Sequence, residues 1–219
     1  MKYKYIILDF GNVLVTPTTG SWFITPKFLE LVDLSKIDKD LLDEVSDKYD
    51  DLLGEKLITQ EEEYDMFLRY YGGILKDINY PNNEEIAKEI AYDRTYNNTK
   101  YTLCDNVVNE LKYLSSKYTL IMVSDNWPCV IPYMKDNKIY KYFDKLYISS
   151  VYGVEKQDKE LFDYPIKDYD IKDGEALFID DCEANLDVAK EKGFDCLLMD
   201  RYNNNIESKY KVINDLMNL

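Results

Sequence analysis

The chain has 219 residues, 46% of them hydrophobic, enough for one buried core with a substantial insertion but short for two large domains. Its 27 basic and 42 acidic residues give a net charge of −15, which argues against a nucleic-acid backbone or an anionic membrane as the main partner. With no histidine, Ser-His and Cys-His catalysis, His-ligated zinc and His acid–base steps are excluded, so chemistry rests on carboxylates, Lys, Tyr, Cys or a hard metal.

In chain order, the basic start Lys2-Tyr3-Lys4 leads into an apolar run that stops at Leu8, too short for a signal peptide or a membrane span. Residues 4–8 read as a strand that delivers Asp9 just before the turn-forming pair Gly11-Asn12. From about 16 to 98 the texture is nearly all helical. Leu31, Leu41, Leu42, Val45, Leu52, Leu53, Met66, Phe67, Ile86 and Ile90 recur at helical spacings, broken at Gly54, Gly72-Gly73 and Pro81.

Beyond the insertion, short apolar runs at 119–123, 145–149, 175–179 and 195–199 read as strands. Helical patterns lie between them. Residues 105–117 place Val107, Val108, Leu111 and Leu114 on one face, 128–138 form a further helix, and 184–192 stop at Gly193. Alternation of this kind implies βαβ units. The expected fold is α/β, a Rossmann-like parallel sheet core made of residues 1–15 and 99–219, with a helical cap, 16–98, inserted after the first strand. In open parallel sheets ligands bind beyond the carboxyl ends of the strands, and Asp9 and Asp180-Asp181 both stand at such ends.

The four cysteines, Cys104, Cys129, Cys182 and Cys196, lie far apart with no C-x-x-C spacing. Free thiols in a reducing compartment fit best, so the expected location is cytoplasmic.

Four segments together resemble the haloacid dehalogenase-like hydrolase superfamily, in particular its small phosphatases with a helical cap after the first strand: Asp9-Phe10-Gly11-Asn12-Val13-Leu14, Val123-Ser124-Asp125-Asn126, Lys156, and Asp180-Asp181 with Asn185. The resemblance covers the whole chain, and the order and spacing of the motifs are more specific than any one of them. It implies that Asp9 is a nucleophile forming an aspartyl-phosphate. It also implies a Mg²⁺ site made by Asp9, the Gly11 carbonyl and Asp181, with Asp180 direct or through water and Asn185 orienting the water shell. Gly11, Asn12, Ser124, Asp125 and Asn126 would then face the phosphate, and Lys156 would neutralise phosphate and nucleophile together. Read singly, each has a plainer alternative: Asp9 as a turn residue, Asp181 and Ser124 as helix caps, Lys156 as a surface lysine.

Two positions depart from the family pattern. Most family phosphatases carry a second aspartate where this chain has Gly11, to protonate the leaving group and then activate water. General acid–base help of that kind is typically worth about 10²–10⁴ in rate, and a water, Thr16, Thr18 or Asp125 are the candidates to replace it. The family often has Lys-Pro where this chain has Lys156-Gln157. In the cap, Trp22, Phe23, Tyr49, Tyr64, Tyr70 and Tyr71, with Trp127 after the phosphate loop, offer flat surfaces for a substrate. Ordinary core packing is the plainer reading for most of them. Trp22 and Trp127 are the two expected to touch substrate.

The resemblance therefore leads to a Mg²⁺-dependent phosphatase of a small phosphorylated metabolite, such as a sugar phosphate, with no nucleic-acid or membrane partner, as a monomer or weak homodimer. The alternatives are a metal-free carbon–halogen hydrolase using Asp9 and a degenerate member that only binds a phosphometabolite.

Overall fold

The computed structural model describes residues 2–217 and 219. They divide into two compact units, Met1–Thr16 with Leu103–Asn126 and Val130–Leu219, and Pro17–Thr102 with Trp127–Cys129. The sequence boundaries of 16 and 98 thus compare with 17 and 102 here, and the three residues from Trp127 group with the insertion.

Strand β1 (Tyr5–Leu8) is followed by two short strands that flank the insertion, β2 (Val15–Pro17) and β3 (Tyr101–Leu103). Then come β4 (Thr119–Ser124), β5 (Lys145–Ile148), β6 (Ala176–Asp180), β7 (Asp195–Met199) and β8 (Val212–Ile213). The main sheet has the order β5-β4-β1-β6-β7-β8, with every pairing parallel. β2 and β3 pair as a separate two-stranded sheet. β1 is central, and Leu8 stands level with Met122 on one side and Ile179 on the other. Continuous burial of Ile6, Ile7 and Leu8 and of Leu120 to Val123 explains why these strands read as unbroken apolar runs rather than alternating ones.

The helices differ from expectation in places that have local causes. Val107–Ser115 buries Val107, Leu111 and Leu114, whereas Val108 is exposed, because a stripe at i, i+4, i+7 leaves i+1 about 100° away. The helix expected over 128–138 spans only Val130–Asp136, and Lys138, with φ of +60°, lies beyond its end in left-handed backbone. Glu160–Tyr169 is a helix that the sequence reading omitted; Pro165 inside it masked the pattern. The helix Glu183–Glu191 ends before Gly193, whose φ of +88° suits glycine and whose Cβ, if present, would lie 2.4 Å from Asp173 Oδ1.

The inserted unit contains helices Pro26–Leu31, Lys39–Asp47, Gln60–Asp77 and Asn83–Tyr92, closed by a π-helical turn, Asp93–Asn97. Thr59 and Glu62 form a capping box that starts the longest helix. Its buried face, Met66, Phe67, Tyr70, Tyr71 and Ile74, packs with Ala87, Ile90 and Ala91 in one cluster. The ends of the insertion are tied together: Thr18 N donates to Lys100 O at 2.9 Å, and Thr18 Oγ1 reaches Thr99 O at 2.8 Å and Thr102 Oγ1 at 2.9 Å. Among the described residues no helix is long and apolar enough to cross a membrane.

Candidate active site

Because β1, β4 and β6 are neighbours in parallel register, their carboxyl ends deliver Asp9, Ser124 and Asp180 to one edge of the sheet. Asp9 is 5% exposed and Asp180 is fully buried. Ligand oxygens of Asp9, Asp180 and Asp181 all lie within 4.8 Å of one another. Lys156, itself buried, donates to Asp9 Oδ1 at 2.9 Å and to Asp180 Oδ2 at 2.7 Å.

The two acids of the doublet are not equivalent. Asp180 Oδ1 accepts from Cys182 N at 2.8 Å and both its oxygens accept from Asn185 Nδ2, at 3.2 and 3.1 Å, in addition to Lys156. Its lone pairs are largely committed. Asp181 Oδ2 accepts Asn12 Nδ2 at 2.8 Å, while Asp181 Oδ1 and Asp9 Oδ2 have no protein donor among the described residues. Gly11 O accepts Val13 N at 2.6 Å, which leaves one of its lone pairs. Two free carboxylate oxygens beside a buried, largely saturated carboxylate suit a hard divalent cation bound by Asp9 and Asp181, and the residues fit Mg²⁺.

Electrostatics follow from this crowding. Burial pushes the Asp9 carboxyl up to about 7; Lys156 pulls it down, while Asp180 and Asp181 push with burial. Asp181 is also raised, by burial first, against the hydrogen bond from Asn12. For Lys156 burial alone would lower the value, but Asp180, Asp9 and Asp125 outweigh it and hold the ammonium above the ordinary lysine range.

The remaining expected residues fall into two groups. Ser124 is 1% exposed and its Oγ has no hydrogen-bond partner, an orphaned hydroxyl at the strand end. Asn126 is buried, and its N–H donates to Ser149 Oγ at 3.0 Å. Asp125 Oδ1 accepts the Lys156 backbone N–H at 3.0 Å, so it anchors the lysine loop. Asn12 has φ of +50°, a left-handed turn that asparagine tolerates and that aims its amide at Asp181. Trp22 and Trp127 belong to the inserted unit instead. The Trp127 ring lies edge-on to Phe67 at 5.2 Å with the Arg94 guanidinium over its face at 5.3 Å, and Trp22 packs against Tyr101 at 6.1 Å. Of the other acid–base candidates, Thr18 is engaged at the ends of the insertion.

Three contributors were given no role from the sequence. Gln157 Nε2 donates to Asn185 Oδ1 at 2.6 Å. Arg201 Nε and Nη2 donate to Val13 O at 2.9 and 2.6 Å, and its Nη1 and Nη2 form a bidentate pair with Glu110 at 2.8 Å each. Glu110 Oε1 also accepts Leu216 N at 3.0 Å, so this buried pair fastens the loop after Asp9 to a helix and to the C-terminal segment. A spacing of 91 residues between Arg201 and Glu110 left no local signal.

Comparison with known proteins agrees with this geometry. The sequence model of haloacid dehalogenase-like hydrolases matches residues 6–199. A D-ribitol-5-phosphate phosphatase of Bacteroides thetaiotaomicron is 37% identical over 84 residues, 38% of this chain and 40% of that protein, so the chain spans less than half the length of the curated relative it matches. Among solved structures, a HAD family enzyme of Bacteroides thetaiotaomicron in complex with magnesium and inorganic phosphate superposes with a TM-score of 0.63 at 20% identity, covering 90% of this chain and 94% of that one. The L-2-haloacid dehalogenase of Xanthobacter autotrophicus with chloropropionic acid covalently bound gives a TM-score of 0.67 at 13% identity, covering 98% and 95%. At these identities the two structures establish the shared fold alone.

Proposed function

The chain belongs to the haloacid dehalogenase-like hydrolase family, and from that premise we propose that it is a Mg²⁺-dependent phosphatase acting on a small phosphorylated metabolite. The observation that carries this reading is the convergence of Asp9, Asp180 and Asp181 around the Lys156 ammonium. The phosphatase relative supports a sugar or sugar-alcohol phosphate as the substrate class.

The Asp9 carboxylate is the nucleophile, and Lys156, donating to its Oδ1, fixes the carboxylate plane. Attack in line with the ester bond forms an Asp9–phosphorus bond and breaks the bond to the leaving oxygen, which takes a proton from water. A second water then cleaves the aspartyl-phosphate, releasing inorganic phosphate and restoring the carboxylate. Lys156 and the orphaned Ser124 hydroxyl supply donors for phosphoryl oxygens. Mg²⁺, when held by Asp9 and Asp181 with the Gly11 carbonyl, supplies charge neutralisation for the transferring group. Asn185 and Asn12 hold Asp180 and Asp181 in place. With Gly11 lacking a carboxylate, protonation of the leaving alkoxide oxygen falls to water.

The metal-free dehalogenase reading is weaker, because three carboxylates packed against one ammonium leave negative charge that such chemistry does not use. Phosphate release from aryl phosphates and from phosphorylated sugars and polyols, dependent on Mg²⁺ and abolished by EDTA and by Asp9→Asn, is the expected result. EDTA-insensitive halide release would replace this reading, and silence across the panel with retained phosphate binding would reduce the protein to a binder.

A further inference from the structure

The segment that carries Lys156 touches the loop of Ser124, Asp125 and Asn126 at both of its ends. It starts where β5 stops, and the parallel register sets Ser124 level with Ile148, so Ser149 follows at the same edge of the sheet. A one-turn helix, Ser149–Tyr152, begins there and closes at Gly153, whose φ of +75° is the left-handed conformation that ends a helix. At the far end, the Lys156 backbone N–H donates to Asp125 Oδ1 at 3.0 Å.

Ser149 makes the near attachment. Its hydroxyl accepts the Asn126 N–H at 3.0 Å and donates to Asn126 O at 3.4 Å. One hydroxyl has a donor and two acceptor lone pairs, so it holds both bonds at once. The Ser149 carbonyl meanwhile accepts the N–H groups of Gly153, at 2.8 Å, and Val154, at 3.3 Å. Ser149 and Asn126 are both buried, so water is a poor substitute for these bonds. A single residue thus joins both backbone groups of Asn126 to the turn that leads to Lys156.

This arrangement decides what the loop offers a ligand. The Asn126 N–H is committed to Ser149 rather than open to phosphate, while the buried Ser124 hydroxyl stays unpartnered. A phosphoryl group held by both the Ser124 hydroxyl and the Lys156 ammonium needs those donors at a fixed separation, and that separation is set where their two loops are fastened. Resting on the phosphatase reading, we propose that Ser149 is a positioning residue for phosphate, holding the loop of Ser124 against the loop of Lys156 and acting through Asn126. The neighbour Ser150 supplies a matched comparison. Its N–H donates to Asn126 O at 3.3 Å, a backbone bond that survives truncation, and its buried hydroxyl has no hydrogen-bond partner.

Calorimetric titration of the whole protein with inorganic phosphate in the presence of Mg²⁺, alongside hydrolysis of p-nitrophenyl phosphate, tests this. Ser149→Ala is expected to weaken phosphate binding about tenfold, the scale of leaving a buried N–H without its acceptor. KM should rise by a similar factor while kcat changes by less than about threefold, the pattern of a lost binding geometry. The Mg²⁺ concentration for half-maximal activity should stay at the parent's value. Ser150→Ala, which deletes the same atom one residue away, should match the parent in every measurement. An active parent whose phosphate affinity is unchanged in Ser149→Ala, even with a lowered melting temperature, would overturn the proposal and leave the phosphatase reading intact. Equal weakening in Ser150→Ala would also overturn it. A parent that hydrolyses nothing yet loses phosphate affinity on Ser149→Ala would remove the phosphatase reading and support the positioning role, and a parent that neither binds phosphate nor turns over would end both.

Discussion

Gln157 holds Asn185 by its side-chain oxygen, at 2.6 Å, and so turns the Asn185 amide nitrogen onto both oxygens of Asp180. The relationship runs from an exposed loop residue to a fully buried acid through one intermediate. Outer partners of metal-binding groups typically matter by about 10–100-fold in affinity. Gln157→Ala is therefore expected to weaken the Mg²⁺ dependence of phosphate release by about tenfold while leaving the melting temperature almost unchanged. A Mg²⁺ titration curve that superposes on the parent's would refute the link.

Lys156 is expected to be structural as well as chemical. Removing its ammonium leaves Asp9 and Asp180 buried together without compensation, and breaking a buried pair in this way costs about 3–5 kcal/mol. Lys156→Met should lower the urea midpoint strongly above neutral pH and less in acid, where the Asp9 carboxyl, raised to about 7, is protonated. Equal losses at both pH values would contradict the assignment.

The Asp9 carboxyl sets a pH dependence of unusual sign. Its folded value of about 7 lies above its usual 3.8, so the folded chain binds more protons than the unfolded one between those limits. Stability from this group consequently falls as pH rises through that window, the reverse of a salt-bridged acid whose value is depressed. Cation binding to the ionised form opposes the fall, so Mg²⁺ should raise the melting temperature more at about pH 8 than at about pH 5. In Asp9→Asn the metal-free stability profile should flatten over the same range. Calorimetry that finds the larger Mg²⁺ shift in acid would show the sign to be wrong.

Arg201 provides a test of positioning at a distance. Its guanidinium spans Val13 O and Glu110 with four hydrogen bonds, a pattern that an ammonium cannot reproduce. Arg201→Lys should lower kcat by about tenfold with little change in KM, because a displacement of the loop after Asp9 spoils alignment more than binding. A variant that lost only stability, with kcat intact after folding was restored by osmolyte, would limit Arg201 to a structural role.

The contrast between Asp9 and Arg201 explains how much the sequence revealed. Asp9 and Asp180 each end a continuous apolar run, and a buried parallel strand has no other way to write itself, so sheet, strand order of appearance and the acid pair were all legible. Arg201 and Glu110 resemble ordinary surface charges in their own windows, and only the fold makes them partners. Gln157 was read as a defect for want of proline, since nothing in sequence links it to Asn185. Trp127 follows Ser124 closely along the chain, and its ring packs on Phe67 and Arg94, partners that no local pattern announced. Strand β8, two residues long, offered no periodicity to detect.

The pairing of β2 with β3, reinforced by Thr18 on Thr99 and Thr102, brings the two ends of the inserted segment side by side. An insertion whose ends meet is a cassette: it can lengthen, shorten or be exchanged without stretching the chain that receives it. Asp9, Lys156 and Asp180 all lie outside that cassette. Lineages that inherit this chain can therefore rewrite one part while the acid–lysine network descends unchanged, and a transplant between relatives has its natural cut points at Pro17 and Thr102.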